Sequence, residues 1–381
     1  MEDIMKKKLS ILLSVLLIIS VGTLFAGGSR DGRPEAERSF ELLGAGASFP
    51  APLMTAWADE YRDITNGRVT INYQSIGSGG GIRQFLEKTI MFGATESALT
   101  DTHMVQIREE TEGLAYNLPL TLGDVVITYN VPGVDTGVVF SSDVIADAFL
   151  GTITNWNDPR IAKLNPGVTF PNLPITIAHR SDGSGTTAVF TSYLSKVNSQ
   201  WERSVGAGTS VNWPKGSGGN GNEGVAGIVM NTPGAMGYNS LVYAVLNDIG
   251  YGSVINNSGN IIEPSLEATS LSAAVDIPKD GRVMLVDTDA PYGYPIAGFA
   301  WSLVYENLDR NAAIPDRETA AEVVKFLYWV ITEGQEYNEG LSFARLPDKA
   351  QEVAVQMVGS LKWNGEFIGE EVIADVRASG Y

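Results

Sequence analysis

"SDGSGTT" at residues 181–187, with Arg180 directly before it, is the stretch on which the reading of this chain turns. It follows "ITIAHR", where Ile175 and Ile177 alternate with smaller or polar residues as in a strand. It precedes Phe190, Tyr193, Leu194 and Val197, whose spacing predicts a helix. Small hydroxyl residues and glycines between a strand and a helix serve either as a capped turn or as an anion cradle. In the cradle, backbone N–H groups, hydroxyls and the Arg180 guanidinium converge on one ligand.

Two other stretches share the design: "GAGASFP" (Gly44–Pro50) and "SIGSGGG" (Ser75–Gly81). Each leads into a segment of helical spacing: Leu53, Trp57, Tyr61 and Ile64 over 51–64, then Ile82, Phe85 and Leu86. The second also follows a predicted strand, "RVTINYQ". A helix N-terminus offers unpaired N–H groups and the positive end of its dipole. Glycine lets backbone approach a ligand, and Ser or Thr adds a neutral donor. Any one of these stretches alone reads rather as an ordinary N-cap. Three in one chain, one beside Arg180, read as an anion site, with Asp182 placed to brace the arginine.

Working outward, predicted strands and helices alternate. "MFGAT" reads as a short buried strand, "DTHMVQIREE" as a helix and "DVVITYNVPG" as a strand ending in a turn. "SSDVIADAFLG" carries both a capping serine and a terminal glycine, and a second capped helix begins at Asp158 and Pro159. "GIVMNTPGAMGYNS" reads as helix, turn and strand, and "IAGFAWSLVYE" as a buried strand. Ala320, Val323, Val324, Leu327 and Ile331 predict a helix stopping at Gly334; Ala350, Val353, Met357 and Leu361 predict another. The class is α/β.

At 381 residues the chain is long enough for two domains. Lys6–Lys8, the apolar run Leu9–Phe25 and the small residues Ala26, Gly27 and Gly28 read as a signal peptide over 1–28, followed by a disordered leader over 29–38. The chain has no cysteine, which excludes disulfides, thiol catalysis and a lipid anchor on an N-terminal cysteine. Export without disulfides suits a periplasmic or cell-surface bacterial protein. The net charge of −18, with only 26 dispersed Lys and Arg, argues against nucleic acid and an anionic membrane surface as partners.

Competing chemistries have little material. "GSGGNG" (Gly216–Gly221) matches G-x-G-x-x-G but lacks a clear preceding strand and a ribose-binding acid, which argues against a dinucleotide site. No Walker lysine and no G-x-S-x-G elbow is present. The only histidines, His103 and His179, do not make up a triad or a multi-histidine metal site. No cofactor is expected.

The ordered set "GAGASFPAPL", "INYQSIGSGGG", "FGATES", "GTITNWNDPRIAKLNPG", "RSDGSGTT" and "NTPGAMGY" resembles the periplasmic phosphate-binding proteins of ABC-type phosphate importers, from about Leu43 to the C-terminal helices. The resemblance implies a type II periplasmic-binding-protein fold with phosphate in a cleft between two lobes. Lobe I would be residues 39–118 and 296–381, and lobe II 119–295. "NLPLTLGDV" and "YGYPIAGF" would be the hinges, as proline-bearing extended segments flanking strands. Carried over by position, the resemblance implies phosphate contacts from Ser48, the Phe49 backbone, Ser78, Arg180, Ser184, Gly185 and Thr186, with Asp182 behind Arg180. Glu96 joins that phosphate-binding set where the family has aspartate in this segment, on a side chain one methylene longer. The function implied is phosphate capture by a monomeric, non-enzymatic receptor and delivery to a membrane permease. The alternatives are a receptor for another tetrahedral oxyanion and an exported phosphatase.

Overall fold

The computed structural model describes residues 38–381; the expected signal peptide and all but the last residue of the leader lie outside them. The chain first runs β1 (Phe40–Gly46), α1 (Ala51–Ile64), β2 (Val69–Ser75), α2 (Ser78–Leu86), β3 (Phe92–Thr95) and α3 (Asp101–Thr111). The middle follows as β4 (Ala115–Tyr129), β5 (Val139–Phe140), α4 (Ser142–Leu150), α5 (Pro159–Leu164), β6 (Thr176–Arg180), α6 (Gly185–Val197) and α7 (Ser199–Ser204). Next come β7 (Ser217–Gly219), α8 (Gly221–Asn231), β8 (Ala235–Ser240), α9 (Leu241–Leu246), β9 (Gly250–Tyr251), β10 (Ser253–Ile255), β11 (Ile261–Ile262) and α10 (Leu266–Ser272). The chain closes with β12 (Ala297–Tyr305), α11 (Arg317–Ile331), α12 (Asp348–Gly359) and α13 (Ile368–Ser379).

The large sheet has the order β2-β1-β3-β12-β4-β8-β6-β7, with β9 also on β4; β11-β10-β5 form a small second sheet. β1 lies parallel to both β2 and β3, and β6 parallel to both β8 and β7. The antiparallel β4 and β12 run between these groups: β4 pairs with β12 over Ala115–Asp124 and with β8 over Val125–Tyr129. These central strands are buried almost without interruption, which explains their continuous apolar runs. The type II periplasmic-binding-protein fold is thus realised as a mixed sheet with helices packed on it.

Local signals set many element ends. Ser141 caps α4 by accepting from Val144 N, and Gly151 ends it in the left-handed conformation. α1 spans the expected 51–64. Aromatic residues fill the core beneath it, with Tyr61 edge-on to Phe326 at 5.2 Å and near Trp329 at 5.4 Å.

The structure corrects several expectations. "NLPLTLGDV" lies inside the unbroken strand β4 rather than flanking a strand, and Pro119, opposite Trp301, borders a register shift that leaves Leu120 without a partner on β12. A bulge is where a sheet tolerates a residue without an N–H. α11 ends at Ile331, three residues before Gly334, because Thr332 already leaves helical geometry. "GSGGNG" contains its own strand, β7, paired in parallel with β6.

Candidate functional site

The expected site residues lie at the carboxyl ends of parallel strands, where α/β sheets commonly hold ligands. Gly46 of β1 is level with Ser75 of β2 and with Ala94 of β3, so the turns leading to Ser48, Ser78 and Glu96 leave the sheet together. Arg180 of β6 is level with Gly219 of β7, which aligns the loops carrying Ser184 and Asn222.

Each glycine stretch spans the passage from a strand to a helix: "GAGASFP" begins inside β1, and the helices α2 and α6 begin inside "SIGSGGG" and "SDGSGTT", at Ser78 and Gly185. Pro50 and Gly77, at the N-caps of α1 and α2, make no side-chain capping bond. Ser184 does cap α6: its Oγ accepts from Thr187 N at 3.0 Å. The capped-turn reading of "SDGSGTT" holds at Ser184, and a hydroxyl that accepts a capping bond retains its proton to donate.

Arg180 is 3% exposed. Its Nε donates to Asp182 Oδ1 at 2.8 Å and its Nη2 to Asp182 Oδ2 at 2.5 Å. Asp182 Oδ1 also accepts from Gly221 N at 3.1 Å. Burial pushes the Asp182 carboxyl up, but the Arg180 bonds and charge and the Gly221 N–H outweigh it and hold the group below its usual range. Arg180 N donates to Tyr238 Oη at 3.1 Å, and that hydroxyl is paired with Thr187 Oγ1 at 2.6 Å. Asp182 therefore holds the guanidinium by two bonds, while Tyr238 holds the Arg180 backbone.

Glu96 is 1% exposed. Its Oε2 accepts from Ser78 Oγ at 3.0 Å, whereas Oε1 has no partner. Burial pushes its pKa up to about 7, against the opposing pull of Arg180 and the Ser78 hydrogen bond. A Cβ on Gly185 would collide with Glu96 Oε2 and stand 2.6 Å from Ser78 Oγ. The bare glycine is what makes room for the longer acid.

The loops also join directly. Gly79 N donates to Gly183 O at 2.9 Å. Ser48, Ser78, Ser184 and Thr186 are each at most 2% exposed. The Phe49 ring is fully buried and packs edge-on to Phe343 at 5.6 Å, so only its backbone is left to face the site. Hydrogen bonds thus tie together the loops that carry a buried cation, four buried hydroxyls and one half-paired carboxyl. Such a set suits a compact anion that carries a proton.

A family description, the PBP superfamily domain, matches residues 31–333. A phosphate-binding protein PstS from Pasteurella multocida is 36% identical over 326 residues, covering 84% of this chain and 91% of that protein. A phosphate-binding protein PstS from Xylella fastidiosa is 38% identical over 331 residues, covering 84% and 87%. This chain belongs to the PstS phosphate-binding protein family. Among solved structures, the phosphate-bound high affinity periplasmic phosphate-binding protein PfluDING superposes with a TM-score of 0.67 at 19% identity, covering 87% of this chain and 97% of that one. That likeness supports the shared fold.

Neither histidine of this PstS-family chain belongs to the cluster. His103 closes a capping box with Thr100 at the start of α3, and His179 stacks on Trp213 with ring centroids 4.9 Å apart. Among the described residues no group of His, Asp or Glu is arranged to hold a metal ion. Sequence reading missed Tyr238, Tyr243 and Asn222, which hold the site residues from behind. Asn222 directly follows the glycine motif dismissed as a nucleotide site, and that motif was the available signal.

Proposed function

We propose that this protein binds inorganic phosphate outside the cytoplasm and delivers it to the permease of an ABC-type phosphate importer. One observation carries the reading. The buried Arg180, locked by Asp182, lies on loops that hydrogen bonds tie to those carrying the buried Ser48, Ser78, Ser184 and Thr186 hydroxyls and the unpaired Oε1 of Glu96. The guanidinium and the Ser48, Ser184 and Thr186 hydroxyls supply donors to anionic oxygens, while the Ser78 hydroxyl gives its proton to Glu96 Oε2. Glu96 supplies an acceptor for the proton that phosphate keeps near neutral pH and sulfate lacks.

The family relationship supports the same ligand, and the substrate-binding role of relatives supports a receptor without covalent chemistry. The Phe49 and Gly185 backbones complete the proposed contact set. Residues 39–118 with 296–381 would form one lobe and 119–295 the other, moving about the crossings at β4 and before β12. Among the described residues no helix is long and apolar enough to cross a membrane. In this reading the receptor works as a periplasmic monomer.

Titration calorimetry of ligand-stripped protein with phosphate, arsenate and sulfate tests the assignment. One phosphate bound per chain, with sulfate far weaker, is expected; sulfate binding as tightly as phosphate would overturn it.

A further inference from the structure

We propose that Asn222 is a positioning residue that sets the Ser48 and Thr186 hydroxyls as donors to the anion. The proposal rests on the phosphate reading above and deepens it. The glycine motif before Asn222 makes the placement possible. β7 ends at Gly219, where a Cβ would run into the backbone of Gly224 and Val225. Gly221 then turns at φ 70°, a left-handed conformation that favours glycine, and Asn222 becomes the second residue of α8.

The Asn222 side chain is fully buried and every polar atom on it is used. Its Nδ2 donates to Ser48 Oγ at 3.0 Å and to Thr186 Oγ1 at 3.1 Å. Its Oδ1 accepts from Ser240 N at 2.9 Å. Ser240 N can only donate, which fixes the orientation of the amide. Asn222 N, which the helix start leaves without an intrahelical acceptor, also donates to Ser48 Oγ at 3.0 Å.

A hydroxyl has two acceptor sites and one proton. Both acceptor sites of Ser48 Oγ are taken by N–H groups of Asn222, so its proton must point elsewhere. Thr186 Oγ1 likewise receives an N–H from Asn222. Among the described residues neither hydroxyl proton meets a protein acceptor. An oxyanion supplies the missing acceptors. Behind this, Asn239 Nδ2 donates to Asn222 O at 2.7 Å, and Thr128 Oγ1 donates to Asn239 Oδ1 at 3.0 Å. Tyr243 Oη donates to Ser48 O at 2.7 Å, clamping the first loop from α9. One amide thereby ties the loops after β1, β6 and β7 together and gives two of their hydroxyls one polarity.

The test is a double-mutant cycle read by phosphate titration on Ser48→Ala, Asn222→Ala and the double variant. Asn222→Ala is expected to weaken phosphate by about 10- to 100-fold. Ser48→Ala should cost about tenfold alone but little more when added to Asn222→Ala, because the two act through one hydroxyl. Asn222→Asp keeps the acceptor for Ser240 N but loses the side-chain donors when ionised. It should lose phosphate at pH 8 and regain part of it, relative to wild type at the same pH, as acid returns a proton to the carboxyl. A merely structural role would move melting temperature without producing that pH recovery. Strictly additive costs in the cycle, or Asn222→Asp binding like wild type at pH 8, would overturn the proposal while leaving the phosphate reading intact. Absence of phosphate binding by wild type would overturn both.

Discussion

Two buried carboxyls, Glu96 and Asp124, meet the same solvent penalty in different company. Each is 1% exposed, and burial pushes Glu96 up to about 7 and Asp124 up to about 8. Glu96 stands just past the end of β3, with Arg180 opposing its shift, Ser78 on one oxygen and nothing on the other. Asp124 sits inside β4, opposite Ala297 of β12, and makes no well-formed hydrogen bond through either oxygen. Thr269 and the Ser265 backbone lie near enough to hold its shift back in part, but the Thr269 hydroxyl proton is already given to Ser265 O at 2.7 Å. The difference teaches that burial alone does not mark a site. What distinguishes Glu96 is the opposing charge of Arg180 and the Ser78 donor on one of its oxygens.

Removing the cation breaks that distinction most severely. Arg180→Ala should weaken phosphate by about 100-fold or more, the upper range for hydrogen bonds to a charged group. It should also raise the Glu96 pKa further, since the principal opposing charge is gone. Carboxyl NMR titration of the two proteins checks the second effect, and calorimetry the first.

Glu96→Gln should weaken phosphate by about tenfold and narrow the gap to sulfate, because an amide can present an N–H to either anion. Glu96→Asp should keep the discrimination. The pH dependence follows from the raised pKa. Below about 7 Glu96 is neutral and can donate to sulfate; above it, sulfate must bring a proton onto Glu96. Sulfate affinity of the wild type should therefore fall by up to about tenfold per pH unit above neutrality. Phosphate carries its own proton, and its profile should be flatter. Parallel profiles for the two anions would remove Glu96 from the specificity argument.

Asp182→Ala should cost less than Arg180→Ala, because the guanidinium keeps its charge and loses only its brace. A loss equal to that of Arg180→Ala would mean that orientation, not charge, dominates.

Asp124→Asn should leave phosphate affinity within about twofold, the smallest effect expected on binding. Its signature is in stability. A folded-state pKa raised above the unfolded value means that the unfolded chain releases the proton first. At pH 4 the folded state holds the proton and the unfolded chain still holds about half of it, so the penalty is small; it grows as pH rises and is complete above about 8. The melting temperature of Asp124→Asn should exceed wild type most at pH 9 and least at pH 4. A constant offset across that range would show that the folded-state pKa of Asp124 is not raised and that the group is ionised in the fold.

The sequence was most legible where local chemistry decides structure. Ser141 and Gly151 delimit α4, and Asp158 with Pro159 opens α5. It was least legible where neighbours decide. β1 contains Gly44, Ala45 and Gly46, which read as loop. It is a strand because β2 and β3 pair on both sides, and a Cβ at Gly44 would collide with the Phe92 ring. β7 is "SGG", a strand only through its register with β6. α13 went unread because packing against α11 and α12 supports it more than any cap does. The cluster around Arg180 was legible because hydroxyls and glycines at helix starts advertise anion chemistry. Asn222 was not, because its role depends on Ser48 lying 174 residues away in sequence and 3.0 Å away in space.

A crystal structure of the ligand-stripped protein soaked with phosphate tests the central claim most directly. The account predicts one anion within hydrogen-bonding reach of Arg180, Ser48, Ser78, Ser184 and Thr186, with Glu96 Oε1 facing its protonated oxygen. Phosphate bound elsewhere, or bound there with Glu96 Oε1 turned to a protein donor, would contradict it.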